Sequence, residues 1–461
     1  MKGENTMGVK KKIIIGVSIF LAFAIMIAAI VLFGPLPMHV DWDSIYNIDS
    51  NVKVLDVCDE HNTTGSVSLA KYNADGTIDT GDWKVLQFTD MHLSETNEGD
   101  LGNDRTIREY IAAIEREEPD LVLLTGDIIT SIRGRARAVQ LCEIMEKLGV
   151  YWVYVLGNHE GDEFFKMSRE ELMSIVEKYP HCLTDTSVKK TESGEKVWGI
   201  GNFVVNLLGE NYKVVQSMIF MDSGNEISES DYNRLKNDTP GLESDSYDFL
   251  KDSQKTWYKE QVNKVTENCT NGVKTMLFIH IPLIEQRNLR YVAFSDLPEG
   301  WTTEVAGDGW TYVEGSEAKN HDGVVVGKNA VNSIDGWNVV PGTINHEGVC
   351  SSDYNNDMYE LMMSLRDGIN ALYCGHDHTN DSILYQDAAP GKTPVYLAYG
   401  RCSGYATYHL YKQNKTDDPK NLMKGYSVIE IHSDCTFDYT GVSYDYAYAR
   451  TQYLVNSLPV A

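Results

Sequence analysis

The sequence predicts an α/β domain built around parallel strands, preceded by an apolar N-terminal segment. Patterns typical of buried strands alternate with patterns typical of helices from residue 84 onwards. Several of these strands end in acidic, amide or histidine side chains. The first 33 residues, in contrast, contain a long run without any charge.

The apolar run extends from Ile13 to Phe33 and follows three lysines, Lys10, Lys11 and Lys12. Its length suffices to cross the hydrocarbon core of a bilayer, which takes about 20 residues. A cleaved signal peptide is the alternative, but its apolar region normally spans roughly 7 to 15 residues and ends at small residues. We expect an uncleaved anchor in the cell membrane, with the lysines in the cytoplasm and the domain outside.

These patterns predict the following organisation. Residues 1–12 form a basic cytoplasmic segment, 13–33 a transmembrane signal anchor, 34–83 a linker and edge segment, 84–441 the main domain, and 442–461 a C-terminal segment. The stretch at about 283–352 is rich in Gly, Trp and Asn. Loops of such length are usually functional or disordered, so we predict an insertion that forms a lid beside the site.

The charge balance excludes some partners. The chain of 461 residues has 67 acidic and 40 basic residues and a formal net charge of -27. Nucleic-acid backbones require clustered Lys and Arg, so a nuclease or a nucleic-acid scaffold is disfavoured. The eight cysteines include no CxxC pair, and an exported chain permits disulfides without their spacing selecting a pairing.

The strand and helix patterns begin with a βαβ unit. It consists of the strand "KVLQFTD", the helix "NDRTIREYIAAIERE" and the strand "LVLLTGD", followed by the helix "RARAVQLCEIMEKLG" and the strand "VYWVYVLGNHE". Further strands are predicted in "VWGIGNFVVNLL", "VVQSMIFMDSG", "VKTMLFIHIPL", "INALYC" and "TPVYLAYG". Helices are predicted in "DSQKTWYKEQVNKV" and "NNDMYELMMSLRDG", and two antiparallel strands in "GYSVIEIHSDCTFDYTGV".

Side chains of the types that bind metals follow five of these strands. They are Asp90 and His92; Asp127; Asn158, His159 and Glu160; His280; and His376 and His378. Alternate residues of a regular strand face opposite sides, so His376 and His378 require a loop to point at one target. Ligands of open α/β sheets bind beyond the carboxyl ends of the strands, where this loop lies.

The order DxH, GD, GNHE, H and GHDH resembles that of the calcineurin-like metallophosphoesterase superfamily. The strings "MDSGN", "HIPL", "HEGVCSS", "GHDHTND" and "GRCSGY" are similar to a branch of purple-acid-phosphatase-like proteins of plants and fungi. The resemblance implies a two-sheet β-sandwich flanked by helices, an αββα fold, with a two-metal site at the edge of the sheets.

The resemblance also assigns roles. The first metal is held by Asp90, His92, Asp127 and His378, and the second by Asp127, Asn158, His280 and His376. His159 is expected to protonate the leaving oxygen, and Glu160 to orient or charge-stabilise His159 unless it is merely a solvated residue. Arg401 is expected either to contact the phosphate or to support the site.

The implied activity is hydrolysis of phosphate mono- or diesters by a hydroxide that two cations activate. The ligand types suit Fe, Mn or Zn. Thr130 stands where purple acid phosphatases have a tyrosine that colours the ferric ion, so the resemblance implies a site that is not purple. The alternative is a non-catalytic cell-surface binding protein on the same scaffold, against which the complete ligand set argues.

Overall fold

The computed structural model of the chain describes residues 40–62, 65–94, 99–161, 167–268, 272–288, 311–313, 317–319, 325–327, 337–340, 348–386, 394–407 and 424–444. Among these ranges, none of the helices combines the length and the apolar character that a membrane span requires. The predicted anchor at residues 13–33 lies outside the described residues.

Six α-helices lie in the described part of the chain. They are α1 (Gly99–Glu117), α2 (Gly134–Leu148), α3 (Arg169–Val176), α4 (Glu229–Leu235), α5 (Asp252–Asn268) and α6 (Met358–Ser364). The predicted end of α2 at Gly149 is confirmed, because this glycine adopts a left-handed φ of 72° and its N–H bonds the carbonyl of Met145.

A nine-stranded sheet is the larger of two main sheets. Its order along the sheet is β1 (Val52–Leu55), β2 (Val67–Lys71), β6 (Phe203–Leu208), β7 (Val214–Phe220), β8 (Thr275–Phe278), β13 (Ile369–Cys374), β15 (Tyr396–Tyr399), β14 (Ile383–Gln386) and β12 (Trp337–Val339). Strands β7, β8, β13 and β15 run parallel to one another. Their carboxyl ends therefore share one edge.

The second sheet has five strands. Its order is β17 (Phe437–Ser443), β16 (Gly425–Ile431), β3 (Trp83–Phe88), β4 (Leu121–Thr125) and β5 (Trp152–Val155). Strands β3, β4 and β5 are parallel, as the βαβ pattern predicts. A small three-stranded sheet, β9 (Thr311–Val313), β10 (Glu317–Lys319) and β11 (Val325–Gly327), lies within the predicted insertion, whose role as a lid stays a prediction.

The two main sheets pack face to face on a shared apolar core. Rings on adjacent strands of the large sheet are stacked, with centroids of Phe203 and Phe220 4.7 Å apart and those of Phe220 and Phe278 5.1 Å apart. Trp83, from the smaller sheet, is buried against this face and its indole N–H donates to the carbonyl of Leu208 at 3.2 Å. This contact fixes one sheet on the other.

Helices cover the outer faces. Trp257 and Tyr258 of α5 pack with Leu277 of β8. Successive strand residues face opposite sides, so Leu277 faces the helix and its neighbour Phe278 faces the core between the sheets. On the smaller sheet, Phe88 contacts Tyr110 of α1 at a ring distance of 4.6 Å. The α/β fold with two sheets and flanking helices is therefore confirmed. The short helices α3 and α4 were not predicted, since neither carries enough apolar residues for a clear helical period.

Candidate metal centre

Five loops at the carboxyl ends of parallel strands form one site between the two sheets. Asp90, Asp127 and Asn158 follow β3, β4 and β5 of the smaller sheet. His280 and His376 follow β8 and β13 of the larger sheet. The packing of the sheets thus brings together side chains that are nearly 300 residues apart in sequence.

Two groups of potential ligands result. The first cluster consists of Asp90, His92 and His378, and the second cluster of Asp127, His280 and His376. In each cluster all side chains are buried, and the potential ligand atoms lie within 4.8 Å of one another. Mixed imidazole and carboxylate donors at this spacing are typical of transition-metal sites.

The two clusters adjoin through Asp127. Its Oδ2 lies 3.2 Å from Nε2 of His280 in its own cluster and 3.5 Å from Nε2 of His92 in the first cluster. Asn158 adds an amide oxygen 3.1 Å from Nε2 of His280. The structure therefore brings all seven predicted ligands together, with Asp127 between the clusters.

Several ligand atoms have no hydrogen-bonding partner although they are buried. They are Oδ1 of Asp90, Nε2 of His92 and both ring nitrogens of His376. Buried polar atoms in folded proteins are nearly always paired, and buried charges are paired or coordinate metals. The residues present thus fit a pair of cations, which would satisfy these atoms.

The charge states of His92 and His376 also fit cation binding. Burial, together with the neighbouring His378, lowers the pKa of His92 to about 3, and burial with His280 lowers that of His376 to about 3. Both rings are therefore neutral and have a lone pair for a metal. Burial opposes protonation of His280, but Asp127 outweighs it and raises the pKa of His280 to about 10.

Left-handed backbone conformations occur at ligands in both clusters. The φ angles are 53° at Asp90, 46° at His92, 52° at Asp127 and 81° at His376. Non-glycine residues rarely adopt such angles, and where they do the strain is held by surrounding contacts, commonly at functional sites. The turns point the ligands back across the strand ends.

The glycines of the motifs allow the loops to approach closely. A Cβ on Gly157 would lie 2.2 Å from Oδ1 of Asp127, and a Cβ on Gly375 would lie 2.0 Å from Oγ1 of Thr89. No side chain fits at either position without displacing these neighbours. The glycines of "GNHE" and "GHDH" are therefore required by the packing of the ligand loops.

Glu160 supports the loop that carries Asp127. Its buried carboxylate accepts hydrogen bonds from the main-chain N–H groups of Asp127 at 3.0 Å, Ile128 at 2.7 Å and Gly157 at 2.6 Å, and from the hydroxyl of Tyr154 at 2.8 Å. The interpretation of Glu160 as a solvated residue is therefore wrong. Its described contacts make it a positioning residue for Asp127 rather than for the His159 ring.

Arg401 is fully buried and its Nη2 donates to Asp381 at 2.6 Å. Asp381 closes the "GHDHTND" stretch that carries His376 and His378. Of the two expectations for Arg401, this ion pair favours support of the site over contact with a phosphate. A direct role of Arg401 in catalysis stays a prediction.

His159 lies at the mouth of the centre. Its main-chain N–H donates to Oδ1 of Asp127 at 2.8 Å, and its ring centroid lies 5.5 Å from that of His92. Unlike the ligand side chains, His159 is half-buried and not part of either cluster. Its assignment as the leaving-group acid stays a prediction, and the position is suitable for it.

Three further residues that hold the centre were not predicted from the sequence. Arg169 of α3 donates to the carbonyl of Gly157 at 2.7 Å and pairs with Asp222. Thr407 lies 2.8 Å from Nδ1 of His378, and the ring of Tyr247 contacts His376. These residues belong to no strand-end motif, so only the folded structure reveals them.

We predict that Glu160→Gln loosens the Asp127 loop, because an amide cannot accept from donors at both of its ends. The free energy of unfolding of the metal-free protein should fall by about 2–3 kcal/mol. Cation affinity of the second cluster should fall roughly tenfold. Urea unfolding and cation titration measure the two effects, with Glu146→Gln, on the surface beside His181, as control. Unchanged values in Glu160→Gln would contradict the assigned role.

Comparison with known proteins adds to this geometry. Residues 84–380 match the family described as calcineurin-like phosphoesterase. Phosphatase DCR2 of Saccharomyces cerevisiae is 26% identical over 345 residues, which cover 70% of this chain and 48% of the yeast protein. Uncharacterized protein C1020.05 of Schizosaccharomyces pombe is 30% identical over 138 residues, covering 27% of this chain and 25% of that protein.

The matched regions thus span about half the length of the first of these relatives and a quarter of the second. Among solved structures, a dimetal phosphatase from Danio rerio has a TM-score of 0.45 and 12% identity, covering 81% of this chain and 99% of its own. A purple acid phosphatase from yellow lupin seeds has a TM-score of 0.40 and 10% identity, covering 84% and 58%.

The family match covers more than half of the chain and includes all six residues of the two clusters and Asn158. The chain therefore belongs to the calcineurin-like phosphoesterase family, a family of hydrolases that act on phosphoric ester bonds.

Proposed function

We propose that this protein hydrolyses phosphate mono- or diesters at a dinuclear metal centre formed by the two clusters. The observation that carries this proposal is the position of Asp127, whose carboxylate lies within 3.5 Å of histidines from both clusters. A carboxylate has two oxygens and so is able to serve two cations at once. The family membership and the unpaired ligand atoms support the same conclusion.

The proposed ligands of one cation are Asp90, His92, His378 and Asp127. The proposed ligands of the other cation are Asp127, Asn158, His280 and His376. Two such cations, when bound, neutralise the phosphate and lower the pKa of a water molecule so that it attacks phosphorus. The donors are imidazole, carboxylate and amide groups, which suit Fe, Mn or Zn. No thiol belongs to either cluster within the described residues.

His159 supplies the proton for the leaving oxygen in this proposal. Its half-buried position gives its ring access both to solvent and to a substrate held beside the first cluster. The bond from its main-chain N–H to Asp127 fixes the start of the side chain relative to the centre. General acids held in this manner accelerate the reaction by protonating the leaving oxygen as its bond to phosphorus breaks.

The location of the protein is a further part of the proposal. The apolar run Ile13–Phe33 and the lysines before it support a single-pass anchor with the phosphoesterase domain outside the cell membrane. The membrane is then a partner alongside the phosphate-ester substrate.

The function is tested with the full chain, stripped of metal and reloaded with Mn, Zn or Fe. We expect hydrolysis within a panel of nitrophenyl phosphate, bis-nitrophenyl phosphate, nucleotides and lipid phosphates. Asp127→Asn should lower kcat/KM at least about 100-fold. Loss of a residue that only hydrogen-bonds a metal ligand costs up to about 100-fold, and Asp127 is proposed to be a ligand itself. Asp185→Asn, in a surface ion pair with Lys189, is the matched control.

Two outcomes would contradict this function. Activity that survives both chelation and Asp127→Asn would remove the metal mechanism. A protein that binds two cations but hydrolyses none of the esters would favour a non-catalytic binding protein.

We predict that His159→Asn slows the reaction according to the leaving group. For alkyl phosphates, whose leaving oxygen needs a proton, kcat should fall roughly 10²- to 10⁴-fold. For nitrophenyl phosphate the fall should be much smaller, because nitrophenolate leaves without a proton. Metal content should not change, and His181→Asn, in a surface pair with Glu146, is the control. Equal losses with both esters would exclude the acid role.

The anchor is tested by fractionation of cells that express the full chain. The protein should stay in the membrane fraction after alkaline carbonate washing, and protease added to intact cells should degrade the domain. Deletion of residues 13–33 should abolish membrane association. Recovery of the intact chain in a soluble fraction would contradict the anchor, and a mature N-terminus beyond Phe33 would show a cleaved, secreted form instead.

A further inference from the structure

The ligand histidines differ in what orients their rings. Nδ1 of His280 lies 2.8 Å from the carbonyl of Thr125, and Nδ1 of His378 lies 2.8 Å from Oγ1 of Thr407. Metal-binding histidines usually use the second nitrogen for such a bond, which fixes the tautomer and the ring. His280 and His378 therefore follow the usual pattern.

His376 does not follow it. The side chain is buried, yet neither of its ring nitrogens has a hydrogen-bonding partner. One nitrogen is the ligand atom of the second cluster, so the other is left without the bond that normally orients the ring. The left-handed backbone of His376, with φ at 81°, adds to the need for support from its neighbours.

The ring of Tyr247 takes the place of that bond. Its centroid lies 4.4 Å from that of His376, with the ring planes at 88°, which is the edge-to-face arrangement that aromatic rings favour. His280 also contacts His376, at 5.3 Å, but His280 is itself a ligand of the same cluster. Among the described residues, Tyr247 supplies the ring contact with His376 from outside the clusters.

The backbone on both sides of Tyr247 is held firmly. The N–H of Ile227 donates to the carbonyl of Ser246 at 2.8 Å, and the N–H of Asp248 donates to the carbonyl of Asn225 at 2.9 Å. The hydroxyl of Ser246 accepts from the N–H of Asp353 at 2.9 Å. These bonds hold the ring of Tyr247 against His376.

We propose that Tyr247 is a positioning residue that orients His376 by ring packing and thereby sets the cation affinity of the second cluster. The inference rests on the proposed function, since it takes the two clusters as cation sites. It concerns one cation only, because no described ring contact joins Tyr247 to the first cluster.

The experiment is a cobalt(II) titration of the metal-free full chain, followed by visible absorption and by competition with a chelator. His376→Gln identifies the signal of the second-cluster ion. In Tyr247→Leu that ion should bind about 10-fold more weakly with an altered spectrum, while affinity for the other ion stays within roughly twofold. Tyr247→Phe keeps the ring and should restore both affinity and spectrum.

Tyr151→Leu is the matched control, because Tyr151 is a half-buried tyrosine that packs against His181, with centroids 5.2 Å apart, away from the clusters. Tyr247→Met, made alongside, replaces the ring by a flexible apolar side chain and takes the place of Tyr247→Leu if that variant does not fold. Wild-type affinity of the second-cluster ion in the ring-less variant would overturn the inference, as would equal weakening of both ions. A wild-type protein that binds fewer than two cobalt ions would instead overturn the dinuclear centre itself.

Discussion

The burial of two carboxylates side by side is the constraint on which the centre depends. Asp90 and Asp127 are both fully buried, and removing ionised carboxylates from water costs several kcal/mol each unless positive charge lies beside them. Protein charge does not suffice, because burial keeps His92 and His376 neutral and only His280 has a raised pKa. Two bound cations would balance the carboxylates and engage the unpaired nitrogens in the same step.

The frame around the carboxylates holds the main chain of the ligand loops in place. Asp127 is fixed through its backbone by Glu160, and Gly157 through its carbonyl by Arg169. These contacts bind the main chain of the ligand loops and leave Oδ2 of Asp127 directed at the centre. A rigid backbone with free ligand atoms lowers the reorganisation that cation binding requires, which is the usual function of residues behind the ligands.

Sequence reasoning identified the ligands because each follows a strand whose pattern is unambiguous. The strand ends marked Asp90, Asp127 and His280 as side chains of metal-binding types at one edge, and the family resemblance assigned them as ligands. Glu160 shows where this reasoning stops: adjacency in sequence to His159 suggested action on that ring, whereas the turn after β5 directs the carboxylate to the main chain around Asp127. Tyr247 was inaccessible to such reasoning, because its contact with His376 depends on the packing of a loop that has no periodic pattern.

The insertion begins and ends beside the ligand loops. Arg287 lies close to the start of the insertion and Asp353 lies near its end. Arg287 donates to the carboxylate of Asp353 at 2.8 Å, so the two ends are joined. The N–H of Cys350 lies 3.2 Å from the carboxylate of Asp377, which stands between His376 and His378 and also accepts from the hydroxyl of Tyr399. Between these ends, Trp337 of β12 lies in the larger sheet and packs against Tyr359, with ring centroids 4.8 Å apart. The described parts of the insertion are therefore joined both to the loop that carries the ligand histidines and to the larger sheet.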